Sequence, residues 1–76
     1  EIHPEFFSKL NALSDNKLTP LDLRYCAYIH LKLSTKELAT IFNVEPKSIR
    51  MTKYRIKQKL NLDKEKDLED FLQNIV

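Results

Sequence analysis

The chain is 76 residues long, enough for one domain whose small core leaves no apolar side chain to spare. It contains no glycine and three prolines (Pro4, Pro20 and Pro46), which argues against tight hairpins, a glycine-rich phosphate loop and a dinucleotide fingerprint. Net charge is +2 but unevenly placed: residues 45–60 carry six bases against one acid, and residues 61–76 carry five acids against two bases. No apolar run is long enough to cross a bilayer and no signal peptide is visible, so no membrane contact is expected. Lone Cys26 lies in an apolar helical run and reads as a buried thiol in a reducing, cytoplasmic setting. The first residue is Glu1 rather than Met, which suggests a portion of a longer protein or a processed form.

The periodicity predicts an all-α fold. An N-terminal amphipathic helix begins near Pro4, which fits a first turn because its missing amide costs little there. Phe6, Leu10 and Leu13 recur along one side and Phe7 broadens the stripe, so this segment packs over later helices, serves as a linker end or contacts a partner. Residues 1–17 form this helix and its linker, and Ser14 to Lys17 are a loop by composition. Residues 18–76 form the main domain.

Thr19 is an N-cap, Pro20 fits the first helical position and Asp22 completes a Thr-x-x-Asp variant of the capping box. Leu18 and Leu23 have the spacing of a hydrophobic staple. The helix runs from Pro20 to about Leu31, with Cys26 and Ile29 inward and Tyr25 and Tyr28 packing their rings with hydroxyls near water. Ser34 and Glu37 make a second capping box, followed by Leu38, Ala39, Ile41 and Phe42 as the packing side. Asn43 suits the left-handed conformation of a helix end, Val44 anchors the turn, and Pro46 opens the next helix behind Glu45, an ordinary rather than strong N-cap.

From Pro46 to Leu60, Ile49, Ile56 and Leu60 share one face, while Arg50, Tyr54 and Lys57 lie on another with Met51 and Arg55 adjacent. Two short helices with so few residues between them suit a helix-turn-helix, with DNA as the expected surface of the second. Beyond Leu62, the residues Leu68, Phe71, Leu72 and Ile75 define a last amphipathic segment, with Asp63 or Asp67 near its start. Its stripe either closes the core or leaves part free to pair two copies.

Several segments in this order resemble the LuxR-type, or GerE-like, helix-turn-helix domain at the carboxyl end of many bacterial transcription regulators. They are Leu18-Thr19-Pro20-Leu21-Asp22, Leu33-Ser34-Thr35-Lys36-Glu37-Leu38-Ala39, Val44-Glu45-Pro46-Lys47-Ser48-Ile49 and Lys59-Leu60-Asn61-Leu62. The resemblance covers Leu18 to Ile75. The His3-Pro4 start, Leu23 to Tyr28, Tyr54-Arg55-Ile56-Lys57 and Asp70-Phe71-Leu72 are similar to a Bacteroidetes subgroup that ends large sensor or repeat-containing regulators. The resemblance implies a bundle of four LuxR-type helices behind the additional N-terminal helix. It also implies an upstream sensor, receiver, coiled-coil or repeat region, and a homodimer formed through the C-terminal helix or upstream regions.

The chain departs from the family pattern at six places, the first being Asp22, where the family usually has glutamate. Lys32 stands at a glycine position, which demands a non-glycine left-handed residue or a different bend; Asn61 replaces a second glycine. Thr52 stands where many relatives have histidine, Arg24 reverses a common glutamate, and Glu45 replaces the usual serine or threonine cap.

The function this implies is sequence-specific double-stranded DNA binding by an output module, with the recognition helix, about residues 46–60, in the major groove. By family correspondence, Arg50, Met51 and Tyr54 approach base edges. Lys47, Ser48, Lys53 and Arg55 are placed for the sugar-phosphate backbone, and Thr35 and Lys36 for another phosphate. No catalytic role, cofactor or metal is expected: His3 and His30 form no ligand pattern with Cys26, and nothing supplies a substrate pocket or oxyanion donors. The competing reading is a degenerate helix-turn-helix that serves as a protein-interaction or dimerisation module.

Overall fold

The computed structural model describes residues 2–75, so Glu1 and Val76, the outer limits of the two expected segments, lie outside the described residues. Five helices follow one another: α1 (Phe6–Leu13), α2 (Pro20–His30), α3 (Thr35–Phe42), α4 (Pro46–Lys59) and α5 (Leu68–Gln73). No strand occurs among the described residues. The Cα radius of gyration is 11.5 Å, close to the roughly 11 Å expected of a folded chain of this length.

Helix starts follow the capping chemistry. The Thr19 hydroxyl accepts from the Asp22 amide at 3.1 Å, and the Asp22 carboxylate accepts in return from the Thr19 amide at 3.1 Å. Ser34 and Glu37 repeat this exchange at 3.1 and 2.8 Å. Such caps satisfy amides that the first helical turn leaves without partners. Asp67 caps α5 by accepting from the Glu69 amide at 3.1 Å. Glu45 makes no side-chain cap bond to α4.

The turns are built without glycine. Asp15, Asn16, Lys32, Asn43 and Asn61 all have positive φ, between 54° and 71°. Asparagine and aspartate visit this region at low cost, whereas Lys32, with φ 71°, carries the steric penalty of a Cβ, about 1–2 kcal/mol. The left-handed lysine is thus the one of the two anticipated solutions that the chain adopts. Its amide bonds the Ile29 carbonyl at 2.9 Å and that of Leu33 bonds Tyr28 at 3.1 Å, closing the end of α2.

The core draws on every helix: Phe6 and Leu10 from α1, Cys26 and Ile29 from α2, Leu38 from α3, Ile49 and Ile56 from α4, and Leu68 and Leu72 from α5. Helix α3 packs against α4, and α2 against α5. Tyr25 stacks on Phe42 at 4.1 Å between centroids, with Tyr28 edge-on and the Arg24 guanidinium over the same ring at 5.3 Å. His30 Nδ1 lies 2.7 Å from the Leu72 carbonyl oxygen, which can only accept, so Nδ1 carries the proton and ties α2 to α5. His30 is half-buried against Phe6.

Three expectations are corrected. Helix α1 starts at Phe6, leaving Pro4 in a preceding turn where His3 Nδ1 accepts from the Glu5 amide at 3.1 Å. Leu13 is 47% exposed, because α1 ends there and the left-handed turn leads the chain away. Ile41 is also exposed, since the core side of α3 is a narrower stripe through Leu38, Ala39 and the half-buried Phe42. Val44, with its side chain exposed, holds the turn through its amide, which donates to the Ala39 carbonyl at 3.0 Å.

Burial separates the two leucines of α1. Leu10→Ala is expected to cost about 2–5 kcal/mol, and Leu13→Ala less than about 0.5 kcal/mol. Urea unfolding monitored by circular dichroism measures both. Equal losses contradict this account of α1.

Candidate nucleic-acid interface

Helix α4 presents different chemistry around its circumference. Ile49 and Ile56 are fully buried and Leu60 nearly so, forming the stripe that seats the helix. At about 100° per residue, Lys47, Met51, Tyr54 and Gln58 fall on the opposite side, with Arg50 and Arg55 on its two shoulders. Met51 is 61% and Tyr54 53% exposed, so neither belongs to the core. Lys47, Ser48, Arg50, Met51, Tyr54 and Arg55, together with Thr52, line an open groove of about 600 Å³. The structure therefore brings six of the nine candidate contact residues onto one continuous outward face.

The remaining three lie at the edge. Lys36 is exposed on the first turn of α3. Thr35 and Lys53 meet: the Lys53 ammonium donates to the Thr35 hydroxyl at 2.7 Å and to the Glu69 carboxylate. Only 12% of the Lys53 side chain is accessible, against 37% for Glu69. Lys53 thus joins α3, α4 and α5, and its charge is balanced inside the fold. Burial alone raises the Glu69 pKa, but the bonds from Lys53 and from its capped helix start outweigh it and hold the carboxyl below its ordinary value.

A second pair anchors the far end of α4. The Lys59 ammonium lies 2.6 Å from Asp22 Oδ2, and the Asp22 side chain is 5% exposed. Asp22 therefore serves both as the partner of Thr19 in the capping box and as the counter-ion of α4. Burial pushes its pKa up, yet the Lys59 bond, the Thr19 amide and the Lys59 charge together hold it below the usual carboxylate value. Two of the six cations between residues 45 and 60 are consequently neutralised by internal acids. The Lys57 ammonium donates to the Lys64 carbonyl at 2.9 Å and closes the loop after α4, so Lys57 is less outward than its spacing suggested.

Glu69 and the second role of Asp22 were not anticipated from the sequence. The signal for them is the helical wheel: Lys53 and Lys59 flank the apolar stripe on opposite sides, where a lysine reaches the next helix rather than water.

Cys26 is a free, buried thiol. Burial, with a smaller effect from the Asp22 charge, pushes its thiol up to about 12, and His30 Nδ1 is committed to Leu72. No cluster of three or more potential metal ligands exists among the described residues, nor any helix long and apolar enough to cross a membrane.

Comparison with protein families, with curated proteins and with solved structures finds no match.

The Asp22 pair has a pH signature. A carboxylate held below its ordinary value stabilises the fold above that value and loses the contribution as pH falls through the folded pKa. The difference in unfolding free energy between the wild type and Asp22→Asn is expected to be constant from pH 7 to about pH 5 and to shrink below about pH 4. Urea titrations across that range measure it. A difference that grows on acidification contradicts the pairing.

Proposed function

We propose that the chain is a LuxR-type, or GerE-like, helix-turn-helix module that binds double-stranded DNA sequence-specifically as the output end of a bacterial transcription regulator. In this reading α3 and α4 are the two helices of the motif and α4 enters the major groove. The observation that carries it is the single outward face of α4, where cationic and polar side chains lie together on a helix seated by its opposite side. A major groove about 12 Å wide accepts a helix in this way.

Arg50, Met51 and Tyr54 are the base-reading residues of this proposal. Arg50 offers paired donors to a guanine edge, Met51 an apolar contact for a thymine methyl, and Tyr54 a hydroxyl for a base or phosphate. Lys47, Ser48 and Arg55 border them and contact the sugar-phosphate backbone. Lys36 extends this edge from α3, beside the Thr35 hydroxyl. The acids of residues 61–76 do not cancel the field uniformly, because Glu69 is spent on Lys53. Two copies joined through upstream regions or the C-terminal helix would bind paired half-sites with gain from effective concentration. An upstream sensor, receiver, coiled-coil or repeat region supplies the signal in this scheme, and the module works in the cytoplasm without a cofactor or catalytic step.

The competing module for protein contacts also has support. Ile2, Phe7, Pro20, Leu23, Ala27, Tyr28 and Leu31 form an apolar groove of about 500 Å³ beside Arg24, on residues of α1, α2 and their flanks. Binding there does not require the α4 face, so the two readings separate by mutation.

Selection from random duplexes, with the chain alone and in a dimerised form, is expected to yield a defined half-site. Arg50→Ala then costs roughly 1–3 kcal/mol of discrimination at one base pair. Lys47→Ala weakens all duplexes alike and lowers the slope of log K against log salt by about 0.9. No enrichment and no salt-dependent binding would count against DNA recognition.

A further inference from the structure

Resting on the DNA reading above, we infer that Lys53 is a positioning residue for the base-reading helix and not a ligand of phosphate, with Glu69 as its obligatory partner. The sequence places Lys53 on a basic helix, where charge alone marks it as one more phosphate contact. Its surroundings assign it another task. The ammonium is shared between the Thr35 hydroxyl at the start of α3 and the Glu69 carboxylate in the first turn of α5. No other side chain among the described hydrogen bonds links these three helices at one atom.

Charge bookkeeping points the same way. A phosphate that took Lys53 would replace one anionic partner with another and gain no new ion pair. It would also strand the Glu69 carboxylate, already in a low-pKa setting, next to a phosphate of like charge. The apolar stem adds to the barrier, since the side chain is 12% exposed and must leave its seat to reach outward.

The position of the clamp explains what it does for the face beyond it. Lys53 lies one residue before Tyr54 and between Arg50 and Arg55, in the middle of α4. The Asp22–Lys59 pair holds the C-terminal end of the same helix. Glu45 provides no side-chain cap at the N-terminal end, so the middle clamp is the polar contact that sets how far Arg50 and Met51 project. Small shifts there change the reach of a bidentate donor, whose geometry tolerates little displacement.

The test uses the whole chain and two fluorescein-labelled duplexes, the selected half-site and its variant at the base pair assigned to Arg50, with binding read by anisotropy at several salt concentrations. Removal of one partner strands the other in a half-buried site, whereas replacing both with apolar groups is often neutral. Lys53→Met and Glu69→Gln are therefore each expected to weaken binding to the selected duplex roughly 3- to 30-fold with the wild-type salt slope. Each is also expected to narrow the preference for that duplex over its variant, which a loss of stability alone leaves unchanged. The double variant Lys53→Met with Glu69→Met is expected to recover to within about threefold of the wild type. Urea midpoints of the same proteins are expected to follow the same order without DNA.

Lys53→Met that lowers the salt slope by about 0.9, a double variant no better than Lys53→Met, or Glu69→Gln that tightens binding would each overturn the positioning role. A wild type that binds no duplex at low salt overturns the DNA reading instead, while the urea midpoints still report on the clamp.

Discussion

Helix α4 must be core on one side and surface on the other, and its seating is the constraint on which the molecule depends. Ile49, Ile56 and Leu60 supply only a narrow apolar stripe for a helix of 14 residues. Two lysines beside that stripe complete the attachment, Lys53 toward α3 and α5 and Lys59 toward α2. Exposed pairs of this type contribute little to stability, but desolvation of Asp22 and of the Lys53 stem makes loss of either partner more costly. The outward face is left free because these inward contacts carry the anchoring.

The same economy shapes the turns. Lacking glycine, the chain puts five other residues in the left-handed region among the described residues, three of them asparagines. Lys32 is the least suited of these, yet the Ile29 and Tyr28 carbonyl bonds hold its turn in place. Reciprocal capping boxes offset part of that cost at the starts of α2 and α3, each worth about 1 kcal/mol. The position of α3 relative to α4 follows from Asn43, left-handed at φ 55°, and from the short connection to Pro46.

Local chemistry was the most legible part of the sequence. Thr19, Asp22, Ser34, Glu37 and Asn43 announce helix ends because a cap or a left-handed residue acts within a few positions of itself. The Ile49, Ile56 and Leu60 stripe was legible because a helical period repeats within one element. Leu13 and Ile41 misled because periodicity reports which residues share a side, not how wide the neighbouring helix is. Lys53 and Glu69 were hidden for a different reason: their pairing spans 16 residues and depends on where α5 docks. The same applies to Asp22 and Lys59, 37 residues apart. Charge counts along the chain therefore overstated the cations available to an outside partner. The grouping of Lys47, Arg50, Met51, Tyr54 and Arg55 was legible, since all five belong to one helix.

The most direct test of the central claim is an amide chemical-shift titration of the isotopically labelled chain with a mixed-sequence DNA duplex at low salt. The account predicts that shifts and broadening concentrate on residues 47–58 and the start of α3, with the Ile2, Phe7 and Leu31 groove unchanged. Perturbation centred on that groove, or an unaltered spectrum with duplex in excess, contradicts it.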